Sequence, residues 1–155
     1  METLQLFQAV CPWVIAGALI VAALSDAWSY EIPDWTSSLI GVLYFGYTLN
    51  ALGSYDFASA VLVALLVFLV GVGLFSIGAF GGGDVKLLSA VTLWAGPAMV
   101  LPLLFITAIA GGVLSLAIMT RGRFRRARIF MKPRVPYGIA IAAGGLYVAA
   151  RIVPV

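Results

Sequence analysis

Apolar residues in this chain come in runs too long for the buried face of a soluble helix, separated by short polar or Gly/Pro-rich stretches. A helix that crosses roughly 30 Å of hydrocarbon needs about 20 mostly apolar residues. Six runs meet or approach that length, at about 6–24, 37–52, 57–77, 84–95, 99–119 and 135–153. Between them lie the polar stretch 25–36, the 50–56 stretch, the glycine-rich 78–83, the Ala95-Gly96-Pro97 break and the basic stretch 121–134. The fourth run is short, about a dozen residues or some 18 Å. Either it passes Pro97 with a kink or Asp84 starts below the membrane surface. One helix over 85–119 would be over about 50 Å long, too much for a single crossing. The pattern predicts an all-α integral membrane protein with six transmembrane helices, a single multi-pass domain over residues 1–155.

Composition agrees with the runs. Of 155 residues 63% are hydrophobic and 10% charged, with a mean hydropathy of +1.12, whereas a soluble domain carries about 25% charge. The few charges then set direction, because Lys and Arg collect in short loops on the cytoplasmic side. Arg121, Arg123, Arg125, Arg126, Arg128, Lys132 and Arg134 are seven of the nine basic residues. Their loop is expected inside, in contact with anionic lipid headgroups at about 1 kcal/mol per charge. Counting back puts 78–86 and 25–36 on the same face, with both termini and 50–56 outside. No recognition motif accompanies the basic stretch, so nucleic-acid binding is not expected. No basic residue precedes Lys86, so the first run is expected to be permanent and not a cleaved signal.

The absence of His and the single Cys11 exclude Ser-His-Asp triads, Cys-His dyads, HExxH sites and Cys-rich metal centres. Catalysis would rest on carboxylates, Lys or a hydroxyl. The acids are Glu2, Asp26, Glu31, Asp34, Asp56 and Asp84. The topology puts Asp26 at the end of the first span and Asp84 at the start of the fourth, at one membrane depth. An unpaired ionisable residue there costs at least a few kcal/mol, which makes both functional candidates. Asp84 closes Gly81-Gly82-Gly83-Asp84, where missing Cβ atoms admit a second backbone such as an extended substrate, although the acid could equally cap a helix. In the 25–36 stretch Pro33 can only begin a helix or occupy a turn, Asp34 is expected to cap the next helix, and Trp28, Tyr30 and Trp35 fit an interfacial aromatic belt. Lys86 and Ser89 could share a helix face as a nucleophile pair. The simpler expectation has Lys86 snorkelling to headgroups and Ser89 bonding its own backbone. Gly71-Val72-Gly73, Gly111-Gly112 and Gly144-Gly145 are expected where helices approach closely.

Taken in order, three segments resemble the short prepilin peptidases of Tad-type pilus systems, which are GxGD aspartic proteases of the membrane. The segments are Asp26 followed by Ile32-Pro33; Gly81-Gly82-Gly83-Asp84-Val85-Lys86-Leu87; and Val135-Pro136-Tyr137-Gly138-Ile139-Ala140. With the six runs, the resemblance covers essentially the whole chain. It implies cleavage of the basic leader of prepilin and pseudopilin-like substrates at the cytoplasmic face of the bacterial inner membrane. Asp26 and Asp84 would be the catalytic pair, Gly81, Gly82, Gly83 and Lys86 the active-site loop, and Glu31, Pro33, Asp34, Tyr137 and Gly138 substrate contacts. Two departures stand out: Asp34 takes the place of a more usual Asn, and Tyr30-Glu31 that of a basic pair. The longer members of the family add a cytoplasmic domain, often with paired CxxC motifs, and methylate the new N-terminus; with Cys11 alone, that second activity is not expected.

Two close carboxylates hold one proton between them. The ionised one would take a proton from water as it attacks the scissile carbonyl, while the protonated one hydrogen-bonds the carbonyl oxygen; no metal or cofactor is needed. The acids Asp26, Glu31 and Asp34, with no Lys or Arg among residues 25–36, would receive the basic leader. Two other classes remain open on sequence: a metal-dependent membrane phosphotransferase ligated by Asp26, Glu31, Asp34 and Asp84, and a small transporter or scaffold whose paired acids bind protons or cations.

Overall fold

A computed structural model describes residues 2–48, 55–124 and 135–152. The described chain is all helical: α1 (Glu2–Ser29), α2 (Asp34–Tyr47), α3 (Tyr55–Ser76), α4 (Gly82–Phe124) and α5 (Tyr137–Ile152). Side chains of the basic stretch 121–134, and the 49–54 connection, lie outside the described residues, and with them the expected lipid contact.

Three segments are long and apolar enough to cross a membrane: Gln5–Ser29, Asp56–Ser76 and Gly82–Thr120. The most apolar, in α3, has only 17% of its window buried, and Leu62, Leu65, Leu66, Leu69 and Val70 face outward. A soluble protein would bury such residues, whereas in a membrane they meet lipid. α4 is two helices in effect. At Gly96 the backbone takes φ 54 and ψ −168, a left-handed φ that glycine adopts without the penalty of a Cβ. Pro97 follows, its ring suited to the first turn of a new helix. The Ala95-Gly96-Pro97 break read from the sequence is therefore present, although the helix resumes at once.

Helix ends differ from those read from hydropathy. α1 runs to Ser29, so Asp26 sits inside its last turn and not at the close of a span ending at 24. Hydropathy registers polarity, and Ser25-Asp26-Ala27-Trp28 is polar yet helical. α1 stops at Tyr30, whose φ of 56 turns the chain while its N–H still donates to Asp26 O at 3.0 Å. α2 starts with Asp34, and Pro33 is its N-cap with no side-chain capping bond. The expected Asp34 cap is thus corrected: Thr36 N–H and Oγ1 both donate to Pro33 O, at 3.0 and 2.7 Å. α3 closes with Gly78 at φ 72, and Gly78 and Ala79 N–H return to Phe75 O and Leu74 O, satisfying carbonyls left open at a helix end.

Close contacts fix how the helices run. Asp26 meets Gly138 and Leu19 meets Gly145, so α1 and α5 are antiparallel; Gly111 meets Tyr137 and Gly144 meets Leu103, so α5 is antiparallel to the second half of α4. Gly71 meets Val85 and Ala60 meets Gly96, which sets α3 antiparallel to the first half of α4. Lys86 reaches Asp34, and Trp94 Nε1 donates to Ile40 O at 2.9 Å, so α2 runs parallel to that half. Leu19, Ile40, Leu87, Leu103 and Ile141, each 0% exposed, form the centre. Added Cβ atoms at Gly71, Gly144 and Gly145 would come within 2.8 Å or less of a neighbour, whereas Gly73 and Gly112 have nothing within 4 Å. Close approach therefore uses one glycine of the first two pairs and both of the last.

Candidate active site

The ends of these helices gather at one place. α1 brings Asp26 in its last turn, α2 and α4 begin there, and α5 begins behind it. A pocket of about 460 Å³ is lined by Asp26, the 30–34 segment and Gly81, Gly82, Gly83 and Asp84. Asp26 is 5% and Asp84 9% exposed, and both carboxylates line the pocket. Two acids 58 residues apart in sequence thus face one small volume.

Each acid is held by backbone. Gly138 N–H donates to Asp26 Oδ2 at 2.6 Å across 112 residues. It is a free donor of the first turn of α5, the end of a helix that attracts negative charge. Gly81 N–H donates to Asp84 Oδ2 at 3.0 Å, an acid in the first turn reaching back to the residue before its helix. Asp84 therefore caps α4 and faces the pocket with the same side chain, since a carboxylate has more acceptor sites than one N–H fills.

The 30–34 segment is the pocket's other wall. Ser25 Oγ donates to Glu31 O at 2.8 Å. Ile32 lies so close to both neighbours that a Cβ added to Gly83 would stand 3.1 Å from its Cβ, and one added to Gly138 2.9 Å from its Cδ1. Glu31 and Pro33 line the pocket, Glu31 exposed. Asp34 also lines it, and its Oδ1 accepts from Lys86 Nζ at 2.8 Å. Lys86, expected to snorkel to headgroups, makes this ion pair, and the basic partner missing from residues 25–36 is supplied from α4. Ser89 Oγ donates to Val85 O at 2.7 Å, so no Ser-Lys nucleophile pair forms. Gly138 is buried behind Asp26, and Tyr137 stands apart from the pocket, stacked on Phe80 at 5.2 Å and 17°. Both rings line a second, apolar pocket of about 610 Å³ between α3, α4 and α5. Among the described residues no three acids or thiols are grouped to hold a metal ion, so the ligand set of a phosphotransferase is not assembled.

Sequence reading missed two contributors. Ile32 was visible only as a neighbour of Pro33, and nothing local announces that it separates two glycines from other helices. Tyr30 reads as an interfacial aromatic, yet it is the residue whose left-handed backbone turns the chain into the pocket wall. For a non-glycine residue that conformation costs about 1–2 kcal/mol.

The fold and site define a helical membrane protein that presents two nearly buried carboxylates to a common pocket at the ends of its helices. Residues 13–116, which include both acids, match the type IV leader peptidase family, and the chain belongs to that family. It is similar to the prepilin leader peptidase/N-methyltransferase of Burkholderia pseudomallei, in strains 1026b and K96243, each 30% identical over 145 residues. The alignment covers 88% of this chain and 45% of each relative, so the chain spans less than half of their length. No solved structure matches the chain.

Proposed function

We propose that the chain is an aspartic-type prepilin peptidase that removes the basic leader of Tad/Flp-type prepilins at the cytoplasmic face of the bacterial inner membrane, with Asp26 and Asp84 as its catalytic pair. The observation that carries this reading is the convergence of the two carboxylates on one pocket, each positioned by a backbone N–H from a helix start. The pair shares one proton. The ionised carboxylate takes a proton from the attacking water, and the protonated one donates to the scissile carbonyl oxygen. The tetrahedral intermediate then collapses, and a proton passes to the departing amine. Glu31 on the open rim meets the positive leader. The apolar helix that follows the leader lies along the groove of α3 and α4, which begins at Phe80, next to Gly81.

Helix directions support a six-crossing layout. α1 and α3 end, and α2, α4 and α5 begin, at the end of the bundle that holds the acids, and the Gly96 break divides α4 into two helices. The basic stretch 121–134 assigns that end to the cytoplasm.

The test is co-expression with the pilin subunit and comparison of precursor size. Asn keeps an oxygen that can accept from Gly138 or Gly81 N–H, so Asp26→Asn and Asp84→Asn should fold and reach wild-type levels. Each should lower cleavage by about 10²–10⁴-fold or more, the contribution of a positioned acid or base. Wild-type processing in either variant refutes the dyad.

A further inference from the structure

Lys86 is out of place by the rules of helix electrostatics. It stands in the second turn of α4, close to the end where a cation is disfavoured, and residue 84, two positions away, does not share its face. Its ammonium reaches instead to Asp34 at the start of α2, 52 residues away in sequence, at 2.8 Å. The side chains are 54% and 71% exposed, and an ion pair so open adds little to global stability. Its position is more telling than its strength. Asp34 ends the segment that carries Ile32, and Ile32 is wedged between Gly83, which precedes Asp84, and Gly138, whose N–H holds Asp26. The other end of the segment is tied by Ser25 Oγ to Glu31 O and by the turn at Tyr30. Deeper in, the next tie between α2 and α4 is the Trp94 bond to Ile40 O. At the pocket mouth the Lys86–Asp34 pair is therefore the polar tie between the 30–34 wall and α4, beside the packing of Ile32 on Gly83.

We propose that the Lys86–Asp34 ion pair is a clasp that seats Ile32 between Gly83 and Gly138 and so sets the placement of the two carboxylates. Lys86 and Asp34 are positioning residues and do not bind substrate. This rests on the dyad reading above for its effect on catalysis, while the seating itself is independent of any reaction. An Asn at 34 keeps an acceptor oxygen for Lys86 and a weaker clasp; Ala at 34, or Met at 86, removes it.

The experiment uses the full chain in membranes with Ile32→Cys as an accessibility probe, since the native Cys11 is buried. The rate of thiol labelling is measured alone and with Lys86→Met, Asp34→Ala, both together, Asp34→Asn and Lys86→Arg. Lys86→Met and Asp34→Ala should each speed labelling about fivefold, the fold-change that matches the upper range for an exposed ion pair. The double variant should go no further than either single change, because both remove one interaction. Lys86→Arg should return to the starting rate, and Asp34→Asn should fall between. On the Ile32 background, cleavage of the pilin should show kcat lowered about fivefold by Lys86→Met or Asp34→Ala at unchanged KM. Unchanged labelling in both variants overturns the clasp, and so does a rise in KM at constant kcat, which would make these residues substrate contacts. If the wild-type chain cleaves no prepilin, the functional reading fails while the labelling series still decides the clasp.

Discussion

At Asp26 the carboxylate of one helix is held by the first turn of another, and Gly138 makes this possible twice over. Its N–H donates at 2.6 Å, and its lack of a side chain leaves room for both the carboxylate and Ile32. A Cβ there would lie 2.8 Å from Asp26 Oδ2 and 3.0 Å from Asp26 Cβ, so Gly138→Ala must push the start of α5 away from the acid. Overpacking of this kind costs about 1–3 kcal/mol. The expected outcome is a lower melting temperature in detergent together with at least about a tenfold loss of cleavage, because the donor moves with the backbone. The acids themselves were legible in the sequence. Ionisable residues are expensive in an apolar chain, so few are present, and each demands a reason. What surrounds them was not. The partner of Asp34 and the two glycines flanking Ile32 come from segments distant in sequence, and no local pattern records such meetings.

For the helices, the break in α4 shows how far a local signal carries. Gly followed by Pro predicts an interruption, and φ 54 at Gly96 is that interruption. Gly96→Ala places a side chain in a left-handed conformation and should destabilise the protein by about 1–2 kcal/mol, read as a fall in melting temperature. Gly73→Ala is the informative contrast. It lies within α3 with nothing within 4 Å of an added Cβ, so the change should be neutral or stabilising by up to about 1 kcal/mol, from helix propensity alone. Equal losses at both positions would show that conformation at Gly96 is not the cause. Helix ends were less legible than helix existence. The last turn of α1 is polar but hydrogen-bonded, and the start of α2 rests on Pro33 and Thr36, where an acid was expected to cap.

The described helices form a bundle with its two buried carboxylates and the Lys86–Asp34 pair at one end. The alternation of antiparallel contacts was foreseeable from counting apolar runs, since each crossing reverses direction. The packing partners were not, because a hydropathy profile contains no distances. Side of exposure can be measured directly. Glu31→Cys and Ala79→Cys should be labelled by a membrane-impermeant thiol reagent from one side of the membrane, and Asp56→Cys from the other. All three native residues are exposed, and labelling of all three from the same side would contradict the six-crossing layout.

The short first half of α4 has a consequence for the proposed hydrolysis. Like α2, it begins at the pocket, so the carboxylates lie where helices start and finish. Each turnover consumes a water molecule. An enzyme with its acids halfway along its helices must conduct that water through a lined channel, whereas the proposed pair lines a pocket at the helix ends. In the proposed reaction the second reactant would then need no conduit of its own, and what is left for the protein to arrange is the other reactant: a polypeptide's leader brought into register with the two acids.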